Sequence, residues 1–149
     1  VLGRDARDVP AGQTRDYIFG YTILNDVSAR DVQTAHKQWY FGKSLDGFTP
    51  IGPCIVTADA FADYPPRLGI RSFVNGEKRQ DSNTALQIFD IDHVIAELSQ
   101  GMTLKAGTII ATGTPAGVGM GMDPPQFLKP GDVVRCEIEG IGTLTNPVE

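Results

Sequence analysis

The sequence predicts a β-dominated α+β domain, and three observations point to this class. Short β-prone runs recur along the 149 residues, and the 17 glycines and 10 prolines cluster at the joints between them. One longer stretch, residues 90–100, has the apolar spacing of an amphipathic helix. Counting the patterns gives about seven or eight short strands and two or three helices, a proportion typical of sheet-based α+β domains.

The predicted strands are short, and tight turns join several of them. The clearest is a hairpin over residues 68–80, in which Asn75-Gly76 is the signature of a type I′ turn. Two similar segments, residues 104–108 and 128–132, each place a glycine turn before a β-rich run. The other predicted strands are residues 21–27, 51–58, 109–112, 133–138 and 143–145.

Three segments predict helices. The first is a short helix that Thr14 caps and Gly20 ends, and the second is a turn or short helix over residues 28–38. The third covers residues 90–100, where Asp90 or Asp92 can cap the first turn and Gly101 stops the last.

Composition excludes several kinds of protein. A net charge of -5 argues against a general nucleic-acid surface, which needs a basic face. No window approaches the ~18 consecutive apolar residues of a membrane span, and no signal peptide is visible. Cys54 and Cys136 lie far apart without CxxC spacing, so we expect reduced thiols in a cytoplasmic protein.

The stretch from Gly20 to Lys43 begins as an apolar strand and turns abruptly into acids, amides and bases. A strand that delivers such groups into a loop is typical of a scaffold that builds a pocket. Asp26 follows the strand directly, and its carboxylate suits three roles: ligand of a hard cation, general base, or cap of the next turn.

Arg30 and Gln33 favour a ligand-binding interpretation of the same stretch. They lie three residues apart in a segment that predicts a helical turn, so they share a face and can offer several donors to one anion. Lys43 can bring a second positive charge to that place. The alternative is that Arg30 pairs with Asp31 on a solvated face, and spacing alone leaves both possibilities open.

A second candidate is the loop ATGTPAGVG, residues 111–119. A β-prone run that ends in a loop rich in threonine and glycine can expose N–H groups and hydroxyls to an anion, although most such loops are only turns. The loop lacks the GxxxxGK[ST] pattern of a phosphate-binding loop. His36 lies near the polar stretch, but the sequence gives it no nucleophile to activate.

Four blocks of sequence, taken together, resemble one known family. They are GYTILNDVSARDVQ, QWYFGKSLDGFTPIGP, TGTPAGVG and FLKPGDVVRCEIEGIGTLTNPV, and they cover nearly the entire chain. In this order they resemble the fumarylacetoacetate hydrolase family, in the branch of acylpyruvate hydrolases and 2-hydroxyhepta-2,4-diene-1,7-dioate isomerases. The resemblance implies the mixed β-sandwich or β-roll of the family's C-terminal domain, assembled as a homodimer.

The same resemblance implies an enzyme that uses Mg²⁺ or Mn²⁺ and takes small anionic 2-oxo acids. Its members cleave a carbon–carbon bond in acylpyruvates, decarboxylate, or interconvert keto and enol forms. A divalent ion held by a 2-oxo acid draws charge from the carbonyl, which stabilises an enolate. The roles that the resemblance implies are Asp26 as metal ligand, Arg30, Gln33 and Lys43 as catalytic residues, and Lys43, Arg30, Gly113 and Thr114 as substrate contacts.

One departure from the family pattern concerns the metal. The family's other two ligands are glutamates of an E-x-E pair, which we expect just before Val1, and a lid with a water-activating His/Glu pair is expected further upstream. We therefore expect residues 1–149 to be one catalytic-type domain that lacks its N-terminal part. A hypothesis of another class is a non-catalytic binding or dimerisation module, or an inactive fragment, with the same fold.

Overall fold

The fold is known from a computed structural model, which describes the backbone of residues 1–149 and every side chain except that of His36. The interpretation of the His36 imidazole therefore lies outside the described residues. The regular elements are β1 (Gly20–Leu24), α1 (Arg30–His36), β2 (Ile51–Thr57), β3 (Gly69–Val74), β4 (Glu77–Asn83), α2 (Ile91–Ser99), β5 (Val133–Ile138) and β6 (Gly142–Pro147).

The strands form two antiparallel sheets. One sheet holds β1 and β2, and the other has the order β4-β3-β5-β6. The small sheet packs on the larger one, because β2 lies against β6 and β1 lies against both β5 and β6. Two sheets and few short helices confirm the predicted β-dominated α+β class.

The predicted hairpin is present as β3 and β4, and its turn has the geometry that the sequence indicates. Asn75 and Gly76 both have positive φ angles, 51° and 83°, as a type I′ turn requires. The Asn75 side chain also donates to Asp132 Oδ1 at 2.8 Å and accepts from the Val133 amide at 2.8 Å. The turn therefore fixes the start of β5 as well.

Helix α2 has the predicted cap and packs on the first residues of the chain. Asp90, not Asp92, accepts the first-turn amide of His93 at 2.8 Å. The apolar face of the helix joins the main core cluster, and the backbone of the N-terminal segment bonds to the helix end through Ser99. The buried members of this cluster are Leu2, Ala6, Val9, Ile95 and Leu104.

Two local predictions are wrong near this core. Thr14 does not cap a helix with its side chain, because its fully buried hydroxyl donates to Asp92 at 2.6 Å. Only a single 3-10 turn, Arg15–Tyr17, follows it, and Gly20 begins β1 instead of ending a helix. Tertiary hydrogen bonding has replaced the local cap.

The third wrong prediction is a strand at residues 109–112. Thr108 accepts a backbone hydrogen bond from Leu2 at 2.9 Å, and beyond it no ladder forms. A β-prone run needs a neighbouring strand, and within the described backbone none pairs with this one. Ile109 and Ile110 instead line an apolar cavity.

Among the described helices, none has the length and apolar composition needed to cross a lipid bilayer.

Candidate functional site

An ion pair between Asp26 and Lys43 forms the centre of the candidate site. The Lys43 ammonium donates to Asp26 Oδ2, although 17 residues separate the two in sequence. The Lys43 side chain is 28% exposed and that of Asp26 is 39% exposed. Because neither charge is buried, a ligand that enters from solvent can reach both and can replace one partner of the pair.

The ends of the small sheet bring the pair together. After β1, the Asn25 amide donates to the Pro50 carbonyl at 3.0 Å, which places the Asp26 loop beside the start of β2. The Thr49 hydroxyl donates to the Lys43 carbonyl at 3.0 Å, so the lysine is held from the same side. The Ser28 hydroxyl donates to the Asp26 carbonyl at 3.1 Å and tightens the turn that carries the aspartate.

Gly42 packs the lysine turn against the start of α1. Its carbonyl accepts the Ala29 amide at 2.8 Å. A Cβ atom at this position would lie 2.8 Å from the Ala29 carbonyl oxygen and 3.0 Å from the Gln33 backbone nitrogen, closer than side chains tolerate. The sequence needs glycine here for space rather than for backbone freedom, and the close packing sets where Lys43 starts.

Arg30 and Gln33 are joined to each other on α1. The Arg30 guanidinium donates to Gln33 Oε1 at 2.8 Å, and Gln33 is only 6% exposed. The buried amide therefore orients the arginine and leaves its other N–H donors for a ligand. The alternative, an Arg30–Asp31 ion pair on the surface, does not form between these two described side chains.

The threonine loop is anchored on β4. Gln80 donates through Nε2 to both the Thr114 hydroxyl oxygen and the Pro115 carbonyl, each at 2.8 Å. Gly113 has a φ of 101°, a conformation that favours glycine. Sequence reasoning did not single out Gln80, because a lone glutamine near the end of a hairpin strand carries no pattern that distinguishes it.

The Asp26 loop and the Thr114 loop both follow residues that line one apolar cavity, which has a volume of about 120 Å³. Leu24, two residues before Asp26, and Thr112, two residues before Thr114, both line it. None of the six predicted site residues lines the cavity itself, and no hydrogen bond joins Thr114 to Asp26 or Lys43 in the described part of the chain. The polar groups thus form two clusters that flank one cavity.

Tyr21 adds a polar group to the cavity wall. Burial is the main cause that raises the pKa of Tyr21 to about 12, and the nearby Tyr64 adds to the effect. The phenol therefore stays protonated at neutral pH and remains a neutral hydrogen-bond donor beside the apolar lining.

The donors that could hold a metal ion are few. Asp26 offers one accessible carboxylate, the hard oxygen donor that Mg²⁺ prefers. Among the described residues, no group of three or more His, Cys, Asp and Glu side chains converges anywhere. The donor chemistry therefore fits Asp26 as one ligand of a cation, and the described side chains alone do not complete a coordination shell.

An apolar cavity with polar side chains beside it has the composition that small-molecule sites share. The comparison with known families makes this class specific. All of residues 1–149 match the fumarylacetoacetate (FAA) hydrolase C-terminal family. The chain belongs to this family, and the resemblance of the four sequence blocks is confirmed.

The relatives carry several enzyme names. The chain is 47% identical over 148 residues to an oxaloacetate tautomerase of Bacillus subtilis, covering 99% of this chain and 49% of the relative. It is 51% identical to the solved fumarylacetoacetate hydrolase of Exiguobacterium antarcticum, with a TM-score of 0.96 and coverage of 100% and 53% of the two chains. It is 48% identical to the solved 2-hydroxyhepta-2,4-diene-1,7-dioate isomerase of Mycobacterium marinum, with a TM-score of 0.87 and coverage of 99% and 54%.

These matches confirm the C-terminal domain fold of the family. The chain spans about half the length of the curated relatives it matches, for example 49% of the Bacillus protein.

Proposed function

We propose that this chain is the catalytic portion of an enzyme that binds a small 2-oxo acid and interconverts its keto and enol forms, with oxaloacetate as the type of substrate. The observation that carries the proposal is the accessible Asp26–Lys43 pair, next to a helix on which Gln33 orients Arg30. The relative named as an oxaloacetate tautomerase, at 47% identity, supports this choice of reaction.

The positive groups account for binding of the anion. A carboxylate that approaches the pair finds the Lys43 ammonium and the free N–H groups of Arg30, which are the donors best suited to it. The protein as a whole carries a net charge of -5, so a local concentration of cations is needed to attract an anionic substrate.

The same groups support the proton transfer. When a water molecule takes a proton from the carbon beside the carbonyl, negative charge develops on the carbonyl oxygen, and protonation of that oxygen gives the enol. Hydrogen-bond donors beside the oxygen lower the energy of the charged state. The Gln33 amide holds the Arg30 guanidinium, and the Thr49 hydroxyl holds the Lys43 backbone carbonyl. The Lys43 ammonium exchanges Asp26 for the substrate oxygen when the substrate binds.

A divalent cation, Mg²⁺ or Mn²⁺, is part of the proposal, with Asp26 as the one ligand that this chain contributes. When bound, such an ion supplies Lewis-acid polarisation of the 2-oxo group. The further ligands of the ion would be oxygen atoms of the substrate and of water. With such an ion bound, Asp26 would be its ligand, and the Lys43 ammonium would be available to the substrate.

A second candidate is cleavage of a carbon–carbon bond in acylpyruvates, the reaction that the sequence blocks favoured first. The solved relative named as a fumarylacetoacetate hydrolase, at 51% identity, supports it. Decarboxylation of oxaloacetate passes through the same kind of enolate, so its rate is measured beside that of acylpyruvate cleavage. In both cases the cationic groups do the same work, and the reactions differ in which bond to the neighbouring carbon breaks.

A substrate panel with the complete polypeptide tests the proposal. The measured quantities are the rates of oxaloacetate enol–keto exchange, oxaloacetate decarboxylation and acylpyruvate cleavage, each with Mg²⁺ and with a chelator. Fastest turnover in the exchange reaction, lost with the chelator, is the expected result. Turnover mainly of acylpyruvates would favour the second candidate, and no Mg²⁺-dependent activity on any of the three would favour a non-catalytic binding module.

A further inference from the structure

A relay of hydrogen bonds runs from the core of the larger sheet to the threonine loop. The Ser72 hydroxyl donates to Gln80 Oε1 at 2.8 Å, and Gln80 Nε2 donates to the Thr114 hydroxyl oxygen at 2.8 Å. Ser72 and Gln80 are cross-strand partners in β3 and β4, and Ser72 is only 9% exposed. The buried end of the relay is therefore fixed by the sheet.

The orientation of the Gln80 amide follows from one further contact. The group that faces Thr114 also lies 2.8 Å from the Pro115 carbonyl oxygen, which can only accept a hydrogen bond. That group must therefore be the NH₂ end of the amide and not its oxygen. With the NH₂ end facing the loop, the Thr114 oxygen accepts from Gln80, and its own O–H proton is left to point elsewhere.

The loop is held against β4 closely enough to keep this arrangement. Gly117 has a φ of 108°, and a Cβ atom there would lie 2.1 Å from the Arg79 carbonyl oxygen, so only glycine allows the contact. Further along the loop, the Arg79 guanidinium donates to Met122 Sδ at 3.0 Å and to Gln126. Thr114 itself is exposed, so its remaining proton faces solvent or a ligand.

We propose that Gln80 is a positioning residue that makes Thr114 a hydrogen-bond donor to an oxygen of the bound 2-oxo acid. This inference rests on the proposed function, because it names the role of one loop in that site. A hydroxyl that already accepts a hydrogen bond is a stronger donor, and the Ser72 hydroxyl extends the polarisation by one more link. An anionic oxygen is the ligand that gains most from such a donor.

The test is calorimetric binding of oxalate, with Mg²⁺ at a fixed concentration, to variants of the complete polypeptide. Thr114→Val removes the donor, and we expect oxalate to bind about tenfold more weakly, as for a lost hydrogen bond to a charged group. Thr114→Ser keeps the hydroxyl and should bind as the unmodified protein does. Gln80→Glu places an acceptor where a donor was, so the Thr114 proton turns back to the carboxylate and the affinity at pH 8 should fall by about the same factor.

A pH profile separates positioning from mere support of the loop. Protonation of the new carboxyl restores a donor, so the affinity of Gln80→Glu, relative to the unmodified protein at the same pH, should recover as pH falls through the carboxyl pKa, which for an unperturbed glutamate is about 4.3. Gln13→Glu is the matched control, because Gln13 is exposed and its side chain forms no hydrogen bond in the described structure. It should keep both the affinity and the pH profile of the unmodified protein.

Three results would overturn the proposal. They are full oxalate affinity in Thr114→Val, full affinity at pH 8 in a folded Gln80→Glu, or a loss in Gln80→Glu that low pH does not relieve. If Gln80→Glu does not fold, the Gln80 side-chain amide protons in NMR spectra decide instead: Thr114→Val should shift one of them, and no shift contradicts the relay. Absence of oxalate binding by the unmodified protein contradicts the proposed function itself, which distinguishes the two failures.

Discussion

At the scale of single residues, Asp26 and Lys43 show how a candidate site depends on an exchange of partners. Each is the other's counterion in the described structure, and each is partly exposed. Such a pair contributes little to the free energy of unfolding, because solvent screens it. Its value is chemical: a cation for Asp26 and an anion for Lys43 can enter together without leaving an unpaired charge.

The first prediction concerns Asp26→Asn. The substitution keeps the shape of the side chain but removes its charge, so we expect Mn²⁺ affinity and Mg²⁺-dependent turnover to fall by about 100-fold or more, as several kcal/mol of metal-derived stabilisation are lost. Metal titration by calorimetry measures the first effect. Asp31→Asn, an exposed carboxylate in the first turn of α1, is the control and should change neither quantity. Equal metal affinity in both variants would show that Asp26 is not a metal ligand.

The second prediction concerns Gly42→Ala. The added Cβ would meet the Ala29 carbonyl at 2.8 Å, so the lysine turn must move away from α1. We expect a loss of about 1–3 kcal/mol in the free energy of unfolding, as for other overpacked positions, together with weaker substrate binding.

Gly121→Ala is the matched control for that experiment. A Cβ there meets only Val118 Cγ2 at 3.7 Å, an ordinary contact, and the glycine has no positive φ. Denaturant unfolding of both variants should show the loss at Gly42 alone. Equal stability of the two variants would mean that the packing between the lysine turn and α1 is looser than described.

At the scale of residues, the sequence predicted most of the polar group around Asp26 and Lys43 and less of the group around Thr114. Asp26, Arg30, Gln33 and Lys43 stand in distinctive sequence blocks, and the structure brings two pairs of them into contact. Gln80 could not be predicted, because its role depends on a loop more than 30 residues later in the chain folding back onto β4.

At the scale of elements, the β3–β4 turn does more than reverse the chain. Asn75 binds both Asp132 and the Val133 amide, so one residue couples a hairpin to the next strand. The Asn75 amide, followed by the Lys129 backbone N–H, holds the pKa of Asp132 below its usual range. The charged form of Asp132 is thus favoured in the folded protein.

The third prediction follows from the sign of that shift. Because the folded-state pKa of Asp132 lies below the unfolded value of about 4, its contribution to stability is complete above that pH and is lost as pH falls through the folded value. Asn75→Ala should lower the melting temperature at pH 6, and the gap to the unmodified protein should narrow below about pH 4. Thermal melting across this range measures both. A gap that is constant with pH would show that the Asn75–Asp132 contact is not the cause.

The elements that the sequence predicted well carry their signals locally. Asn75-Gly76 specifies its own turn, and Asp90 caps the first turn of α2 from within the segment itself. Gly101, with a φ of 68°, directly follows the C-cap residue Gln100. Residues 109–112 were predicted wrongly as a strand, since strand formation requires a partner that local sequence does not contain. Thr14 was assigned a local cap for the same reason, whereas its actual partner, Asp92, is distant in sequence.

At the scale of the whole molecule, the surface is larger than a compact monomer requires. The accessible area is 9274 Å², whereas a folded monomer of 16.1 kDa has about 7,400 Å². Several large apolar side chains lie on this surface, among them Trp39, Tyr40, Ile88 and Phe89. Exposed apolar side chains of this size are groups that a protein–protein contact would bury.

The fourth prediction is the oligomeric state. We propose the homodimer that the sequence blocks implied, and we expect sedimentation equilibrium of the complete polypeptide to give twice its monomer mass. Burial of apolar surface should make the dimer persist at high salt, which screens charges but does not weaken apolar contacts. A monomer mass at micromolar concentration would contradict the prediction.

The central claim is that the cations Lys43 and Arg30 accelerate keto–enol exchange of a 2-oxo acid, and the rate of that exchange in oxaloacetate is its most direct measurement. With Mg²⁺ present, the unmodified protein should exceed the buffer rate, Lys43→Met should lose about 100-fold in kcat/KM as a preorganised charge is removed, and Lys37→Met, at an exposed lysine, should lose nothing. A rate for the unmodified protein no higher than that of buffer, or equal rates for the two lysine variants, would contradict the claim.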